Sequence, residues 1–393
     1  MLDLGYNAAL VAVGATLLGV AAGVTGTFLF LRKRALVSDA ISHATLPGVA
    51  LAFMVMVALG GDGRSLPGLL LGSAMSAWAG LLAVSWLSRR TRLAEDAAIG
   101  AVLSVFFGFG IVLLTVIQSL NAGRQAGLEG FLLGSTAGML YTDALVIVVG
   151  GALALALVLL LRRPMLIVTF DPEYAAATGR DVTRIDLAMM GLVLAVTVVG
   201  LKIVGLILIV ALLIIPPAAA RFWTDRADRV VLLSGALGGI AGLVGTLLSA
   251  SAPNLPTGPI IVLVAFALFA TGFFLSPHRG ILAAALRYRH YQRQVHVRQG
   301  LLALAQGQPI YERLTLRLLR RAGHARPDGV ATDQGRAAAA KSLLDERRWQ
   351  LLRADPDFEA AAALYDGLRP IESVLTADQI ALIDRTLTPE ALV

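Results

Sequence analysis

The sequence predicts an all-α integral membrane protein with about nine transmembrane helices, followed by a small soluble domain. Of the 393 residues, 57% are hydrophobic and only 15% are charged, values typical of a protein that crosses the membrane many times. The 40 glycines fit this class, because small residues let transmembrane helices approach closely. After residue 280 the long apolar segments stop and charged residues become frequent, so we expect the soluble domain to begin there.

Hydropathy predicts nine membrane spans. Each is an apolar stretch between charged or turn-forming residues, and they are expected at 6–31, 36–58, 67–88, 97–118, 142–163, 184–200, 203–222, 228–250 and 258–276. The segment 128–141 is too short to span and is expected to be re-entrant or interfacial. Two stretches, GVAAG at 19–23 and GGIAG at 238–242, have the spacing of close helix contacts, but in so glycine-rich a chain they predict no particular contact.

The distribution of basic residues predicts the orientation of the spans. If the spans alternate, one side receives Arg32, Lys33, Arg34, Arg89, Arg90, Arg92, Arg162, Arg163, Arg221, Arg226, Arg229 and Arg279. The other side receives only Arg64, Arg124 and Lys202. Because basic loops remain in the cytoplasm, we expect the N-terminus outside and the C-terminus in the cytoplasm. No cleavable signal peptide is expected, since the first span lacks a basic leader.

Two domains are predicted, a transmembrane domain at 1–280 and a cytoplasmic domain at 281–393. The second carries 16 basic and 13 acidic residues, against 17 and 13 in the much longer region before it. Amphipathic patterns at 299–323 and 335–353 flank a turn-rich segment, HARPDGVATDQG. A segment of this length is large enough to fold as a small domain.

Asp39 and His43 are the candidate metal ligands. They lie four residues apart in SDAISHATLPG, so a helix places both side chains on one face. Ionisable groups near membrane depth usually mark a pathway or a binding site, and carboxylate with imidazole suits a divalent transition metal. The alternative is structural, with Asp39 as an interfacial cap and His43 bonded to a neighbouring carbonyl. A twofold dimer would supply two of each residue, enough for four ligands.

A short helix is predicted in the loop FDPEYAAATGRD, with Asp171 as N-cap, Pro172 at the first helical position, Glu173 in the first turn and Gly179 as terminator. From the residues alone, this segment reads as an ordinary surface turn between spans. In the span that precedes Arg221, Pro216 and Pro217 remove two backbone donors and are expected to kink or end the helix. A kinked span could line a gated pathway, or the prolines could simply stop the helix.

Taken in order, these segments resemble the permease subunits of ATP-binding-cassette importers for manganese, zinc and iron. The matching pieces are SDAISHATLPGVALAF, FLLGS, FDPEYAAATG, VGLILIVALLIIPPAAAR and LPTGPIIVLV, which spread over most of residues 1–276. The resemblance implies metal handling by Asp39 and His43, and docking of an ATPase on the loop containing Asp171. It also implies a bacterial inner-membrane location, a second permease chain of the same or a paralogous sequence, cytoplasmic ATPase subunits and an extracytoplasmic metal-binding protein.

The tail has a resemblance of its own. The stretch LRRAGHARPDGVATDQGRAAAAKSLLDERRWQLL, with IESVLTADQIALIDRTL behind it, is similar to the winged helix and following segment of diphtheria-toxin-type metal-dependent repressors. An α(+β) winged-helix-like fold is therefore expected. The part before the wing is shortened to QPIYE, and the basic and acidic residues nearly balance, so binding of nucleic acid is not expected. We expect the domain to join permease chains or to restrain the ATPases.

The sequence therefore predicts a non-enzymatic permease that imports manganese, zinc or iron ions and is driven by a separate ATPase. The chain has no Walker-type GxxxxGK[ST] motif, so ATP is not expected to bind to it by that route, and no permanently bound cofactor is expected. Cysteine is absent, which excludes a thiolate metal site. The alternatives are a related permease for iron chelates or vitamin B12, which would not need Asp39 and His43 as ligands, and a membrane-anchored metal sensor.

Overall fold

The computed structural model describes residues 6–61, 63, 65–119, 141–252 and 255–387. The chain divides into two compact units, Met1–Ile281 and Leu282–Val393. The described residues are helical, with one isolated β-bridge. The predicted re-entrant or interfacial segment 128–141 lies outside the described residues, apart from its last residue.

The first unit contains ten helices in its described residues. Nine are long apolar helices and one is a short helix in a loop. They are α1 (Tyr6–Leu31), α2 (Ala35–Ala58), α3 (Leu66–Arg90), α4 (Glu95–Ser119), α5 (Tyr141–Phe170), α6 (Pro172–Ala177), α7 (Val182–Val204), α8 (Leu206–Trp223), α9 (Ala227–Ala250) and α10 (Thr257–Leu275).

Eight of these helices are long and apolar enough to cross a membrane, and the prediction of an integral membrane protein is confirmed at that level. The remaining predicted span, at 203–222, corresponds to α8, whose apolar part Ile209–Trp223 is shorter. Gly205 separates α7 from α8 with a φ of 80°, in the left-handed region that glycine adopts without steric cost. Hydropathy places the boundary between these two spans at 200–203, and the structure places it at Gly205.

Helices α1 and α9 share the most extensive helix–helix contact in the described part of the first unit, along a seam of glycines. A Cβ on Gly19 would overlap the carbonyl oxygen of Gly238, and a Cβ on Gly238 would overlap that of Gly19. Gly23 meets the backbone of Ser234 in the same way. The GVAAG and GGIAG stretches are thus two sides of one contact, in which small residues let the backbones approach.

Replacing Gly238 with alanine should destabilise the protein, although alanine is the better helix former by roughly 0.5–1 kcal/mol. The added methyl group must push α1 and α9 apart, and such overpacking typically costs about 1–3 kcal/mol. Gly108→Ala is the matched control, because a Cβ at Gly108 meets nothing within 4 Å. Thermal unfolding in detergent should show a lower midpoint for Gly238→Ala and an unchanged or higher one for Gly108→Ala. Equal midpoints would contradict the seam.

Pro216 and Pro217 do not end their helix, which contradicts one of the two effects expected of them. Helix α8 continues through both buried prolines to Trp223. The missing N–H of Pro217 would otherwise bond the carbonyl of Leu213. That carbonyl packs against Gly26 of α1, where no side chain would fit. Tertiary packing therefore holds the helix beyond the prolines.

The second unit is built on two long helices, α11 (Ile281–Ala305) and α13 (Asp333–Ala354). Between and after them lie shorter helices and two 3₁₀ turns: α12 (Arg313–Arg321), Pro356–Phe358, α14 (Glu359–Ala362), Ile371–Ser373 and α15 (Ala377–Thr386). Trp349 is fully buried and donates to the carbonyl oxygen of Arg369 at 3.1 Å. This unit therefore has its own core.

Ion pairs also hold the second unit together. Arg298 contacts Glu346 at 2.8 Å and Asp345 at 3.4 Å. Burial by itself would raise the pKa of Glu346, but the hydrogen bonds from Arg298 and Tyr365 outweigh it and lower that pKa. Arg348 makes two hydrogen bonds to Asp384 at 2.7 and 2.6 Å. Paired groups of this kind fix α13 against α11 and α15.

The predicted α(+β) character of this unit is wrong for the described residues, which contain no β-strand. Where a wing was expected, Ala325 and Ala331 form a single antiparallel bridge around a tight turn. The amide of Arg326 donates to the carbonyl of Val330 at 2.8 Å. Thr332 caps α13 through its side chain, and the pairing on either side of the turn does not extend into a β-ladder.

Candidate functional site

Asp39 and His43 lie near the start of α2, one turn apart. The Nε2 of His43 is 3.4 Å from the Oδ1 of Asp39, and the two side chains are 20% and 39% exposed, respectively. Both belong to the same continuous helix, so the i,i+4 spacing directs them to one face. The structure thus brings the two predicted ligands together and leaves both accessible.

The other side of the His43 ring is enclosed. Its Nδ1 is buried and has no hydrogen-bond partner among the described residues, and the ring meets Phe107 of α4 edge-on at a centroid distance of 5.0 Å. Sequence reasoning missed Phe107, because an aromatic residue in an apolar helix gives no local sign of its partner. The phenyl ring restricts the imidazole, so Nε2 is the nitrogen that remains available toward Asp39.

Close packing on both sides of α2 fixes the helix just after the pair. Gly48 lies against the backbone of Gly72 in α3, and Gly110 of α4 lies against Leu46 and Pro47. None of the three glycines has room for a side chain. Because Pro47 has no N–H, the carbonyl of His43 also loses its ordinary helical donor. The turn that carries Asp39 and His43 is therefore positioned by neighbouring helices as well as by its own hydrogen bonds.

An ion-pair network anchors the loop that precedes α2. Arg34 bonds Asp186 of α7 at 3.0 and 3.2 Å and Glu95 of α4 at 3.0 Å. Arg32 pairs with Asp186 as well. Asp186 was also missed, although an acidic residue inside a predicted span is a signal that could have identified it. Through Arg34, the start of α2 is held against two other helices one turn before Asp39.

Two donors do not complete a metal site within one chain. The described residues contain no group of three or more His, Cys, Asp or Glu side chains that could hold an ion. A ligand separation of 3.4 Å is nevertheless the edge of a tetrahedron with metal bonds of about 2.1 Å. The pair can therefore supply two ligands to one tetrahedral ion, and any further ligands must come from elsewhere.

The predicted loop helix is present as α6. The carboxylate of Asp171 accepts a hydrogen bond from the amide of Tyr174 at 2.8 Å, and Pro172 occupies the first position. Gly179 ends the turn with a φ of 79°. Ala175 is buried against the helix bundle, whereas Glu173 and the rest of this segment, from 171 to 180, are exposed. The sequence therefore builds a rigid, capped projection with one buried anchor.

The structure groups the predicted site residues on three separate elements. Asp39 and His43 share α2, the residues from Asp171 to Gly179 share the loop around α6, and both prolines lie in α8. Helix α8 packs against α2 as well as α1. Among the described residues, no hydrogen bond or ion pair joins Asp39 or His43 to the α6 loop.

Comparison with known proteins identifies the family. A family model described as the ABC 3 transport family matches residues 6–276. The manganese transport system membrane protein MntC of Bacillus subtilis (strain 168) is 39% identical over 298 residues, which is 76% of this chain and 67% of that protein. The zinc transport system membrane protein TroC of Treponema pallidum (strain Nichols) is 37% identical over 284 residues, covering 72% and 94%.

A solved structure has the same fold. PsaBC from Streptococcus pneumoniae, in complex with Fab, superposes with a TM-score of 0.62 at 30% sequence identity, covering 73% of this chain and 97% of that chain. The family match extends from the first residue of α1 to one residue beyond α10, so it includes the α2 pair, the α6 loop and the proline-containing α8. This chain belongs to the ABC 3 transport family.

Proposed function

We propose that this protein is the permease through which manganese or zinc ions, and by the same chemistry iron(II), cross the bacterial inner membrane. The observation that carries the proposal is the Asp39–His43 pair, with its 3.4 Å separation, on a helix of an ABC 3 permease. Oxygen and imidazole nitrogen ligands suit all three metals. The relatives named for manganese and for zinc transport support the same substrate class.

The ion is transported and not permanently bound, so one chain needs to supply only some of its ligands. A second permease chain related by a twofold axis would add another Asp39 and His43 and complete four ligands. The pairing of identical or paralogous chains is our proposal, and the name PsaBC of the solved relative suggests a pair. A site shared by two chains can be opened by moving one chain against the other, which releases the ion without breaking either fold.

This chain is a permease subunit and not an enzyme, and ATP hydrolysis belongs to a separate subunit. We place the docking point of that ATPase at the α6 loop. The segment is exposed except for Ala175, and Tyr174 presents an aromatic ring that is 59% exposed. A capped helix anchored by one buried residue moves as a unit with α5 and α7, so it can transmit motion of the ATPase to the spans.

The remaining assignments follow from topology and charge. The basic loops support an external N-terminus and a cytoplasmic C-terminus, which puts the α6 loop and the second unit on the ATPase side. An extracytoplasmic metal-binding protein would then deliver the ion from the opposite side. We propose that the second unit, whose resemblance to metal-dependent repressors rests on sequence segments, helps to join permease chains or restrains the ATPases.

The two alternatives have less support. A permease for iron chelates or vitamin B12 leaves the ionisable pair at the head of α2 without a role. A membrane-anchored sensor leaves the extensive permease match over residues 6–276 unexplained. Both remain outcomes of the experiment that follows.

Metal accumulation in cells that lack this gene should distinguish these functions. Cells complemented with the wild-type gene should regain manganese or zinc uptake by at least tenfold over the vector control, measured by elemental analysis after growth in depleted medium. Uptake of an iron chelate or of cobalamin should be unchanged. Restored chelate uptake without restored ion uptake would contradict the proposal, and so would altered transcription with no change in transport.

A further inference from the structure

Helix α12 of the second unit carries a concentrated positive face. Its sequence is RLTLRLLRR, and at about 100° per residue its four arginines fall within roughly 100° of arc. Thr315 and Leu319, on the opposite side, are buried in the unit. All four arginines are exposed. We refer to Arg313, Arg317, Arg320 and Arg321 together as the arginine face.

No acidic side chain in the described part of the chain pairs with any of these four arginines. The nearest acid along the chain is Glu312, and it is already engaged. Its carboxylate accepts a hydrogen bond from the hydroxyl of Thr315 at 2.8 Å and lies 3.0 Å from the Nδ1 of His296. The positive charge of the face is therefore not neutralised inside the unit.

Helix stability does not explain the face either. Arg320 and Arg321 lie in the last turn, where cations interact favourably with the helix dipole. Arg313, by contrast, occupies the first position of α12, where the dipole disfavours a positive charge. Arginines that stabilise this unit, such as Arg298 and Arg348, are bonded to carboxylates. The four on α12 are thus available to a ligand that carries negative charge.

Phosphate groups match this surface, because guanidinium forks bind phosphate oxygens through paired hydrogen bonds. Membrane lipid is the phosphate source nearest to this unit, because the chain links the unit directly to the last membrane span. The last span, α10, ends at Leu275 and α11 begins at Ile281, so the unit stays at a high effective concentration near the bilayer. Clustered arginines are attracted to anionic headgroups within a Debye length of the surface.

Nucleic acid is the weaker match. Arginine can also read guanine edges, but stable binding of DNA at this face would require the DNA to come to the bilayer. The unit as a whole carries 16 basic against 13 acidic residues in the 281–393 region, so its attraction for phosphate must act at short range, which the covalent link to the last span favours for lipid over dissolved nucleic acid. We propose that the arginine face binds the phosphate headgroups of anionic lipids and so holds the second unit against the bilayer.

Fluorescence quenching in nanodiscs can test this with the full-length protein. The chain has no native cysteine, so a fluorophore on Tyr311→Cys reports one site. Tyr311 is 89% exposed and lies two residues before α12. Nanodiscs contain phosphatidylcholine alone or with one quarter phosphatidylglycerol, and in both a small fraction of the phosphatidylcholine carries a nitroxide on its headgroup. We expect at least twofold more quenching with phosphatidylglycerol, and loss of that increase near 1 M salt, where the Debye length is about 3 Å.

Two charge-matched variants separate the arginine face from general electrostatics. R313Q/R317Q/R320Q should lose the lipid-dependent increase, since glutamine keeps the helix propensity of arginine while removing its charge. R336Q/R369Q/R385Q removes the same number of exposed charges elsewhere in the unit and should retain the increase. Equal quenching in both lipids, or equal loss in both variants, would overturn the proposal. The proposal would also be overturned if random-sequence duplex DNA abolished the lipid effect at physiological salt and bound only through the arginine face.

Discussion

Replacing either Asp39 or His43 with alanine should reduce metal uptake at least tenfold while the protein still inserts and assembles. Each change removes one of two donors that lie 3.4 Å apart, and in a twofold pair of identical chains it removes two of four ligands. Neither residue is fully buried, so its loss should leave the packing of α2 intact. Uptake by cells expressing equal amounts of each variant is the measurement.

Two control variants show whether the loss belongs to the pair. Asp96→Ala removes an exposed carboxylate from the first turn of α4, and His290→Ala removes an exposed imidazole from α11. Both controls should transport normally. Full uptake by Asp39→Ala and by His43→Ala at wild-type expression would rule out the ligand assignment. Loss of uptake together with failure to assemble would show a structural role instead.

The sequence predicts local features of this protein well, because they depend on short-range spacing. The i,i+4 interval between Asp39 and His43 determines that they share a helix face. The residues from Asp171 to Gly179 carry a cap, a first-position proline and a terminator in the correct order, and α6 forms there. Long apolar stretches likewise locate the spans to within a few residues in most cases.

Features that depend on distant partners could not be read from the sequence. The spacing of GVAAG says that something approaches closely, but only the fold shows that α9 is the neighbour. Arg34 reaches Asp186, which is 152 residues away along the chain. Pro217 was expected to disturb its helix, and the close packing of the Leu213 carbonyl against Gly26 is visible only in three dimensions. In α8, packing against a neighbouring helix overrides the local preference of the two prolines.

The second large effect is expected from Ala176→Pro in α6. Proline in a helix interior removes a backbone hydrogen bond and clashes with the preceding turn, at a cost of about 3 kcal/mol or more. Ala176 is exposed, whereas its neighbour Ala175 is the buried anchor, so the change should distort the projection and leave the bundle intact. In reconstituted vesicles, ATP hydrolysis should continue while coupled metal uptake falls at least tenfold. Ala176→Ser is the control that keeps the helix and should remain coupled.

Cysteine cross-linking can show that the same segment touches the ATPase. Single cysteines at Glu173 and Ala176, both exposed, should cross-link to the ATPase subunit in the assembled complex. A cysteine at Ser65, the exposed residue before α3, should not, because the proposed orientation puts that loop on the opposite side of the membrane. Cross-linking from Ser65 alone would contradict both the orientation and the coupling role. If Ala176→Pro remained coupled while the cross-links still formed, the contact at α6 would not be what transmits motion of the ATPase to the spans.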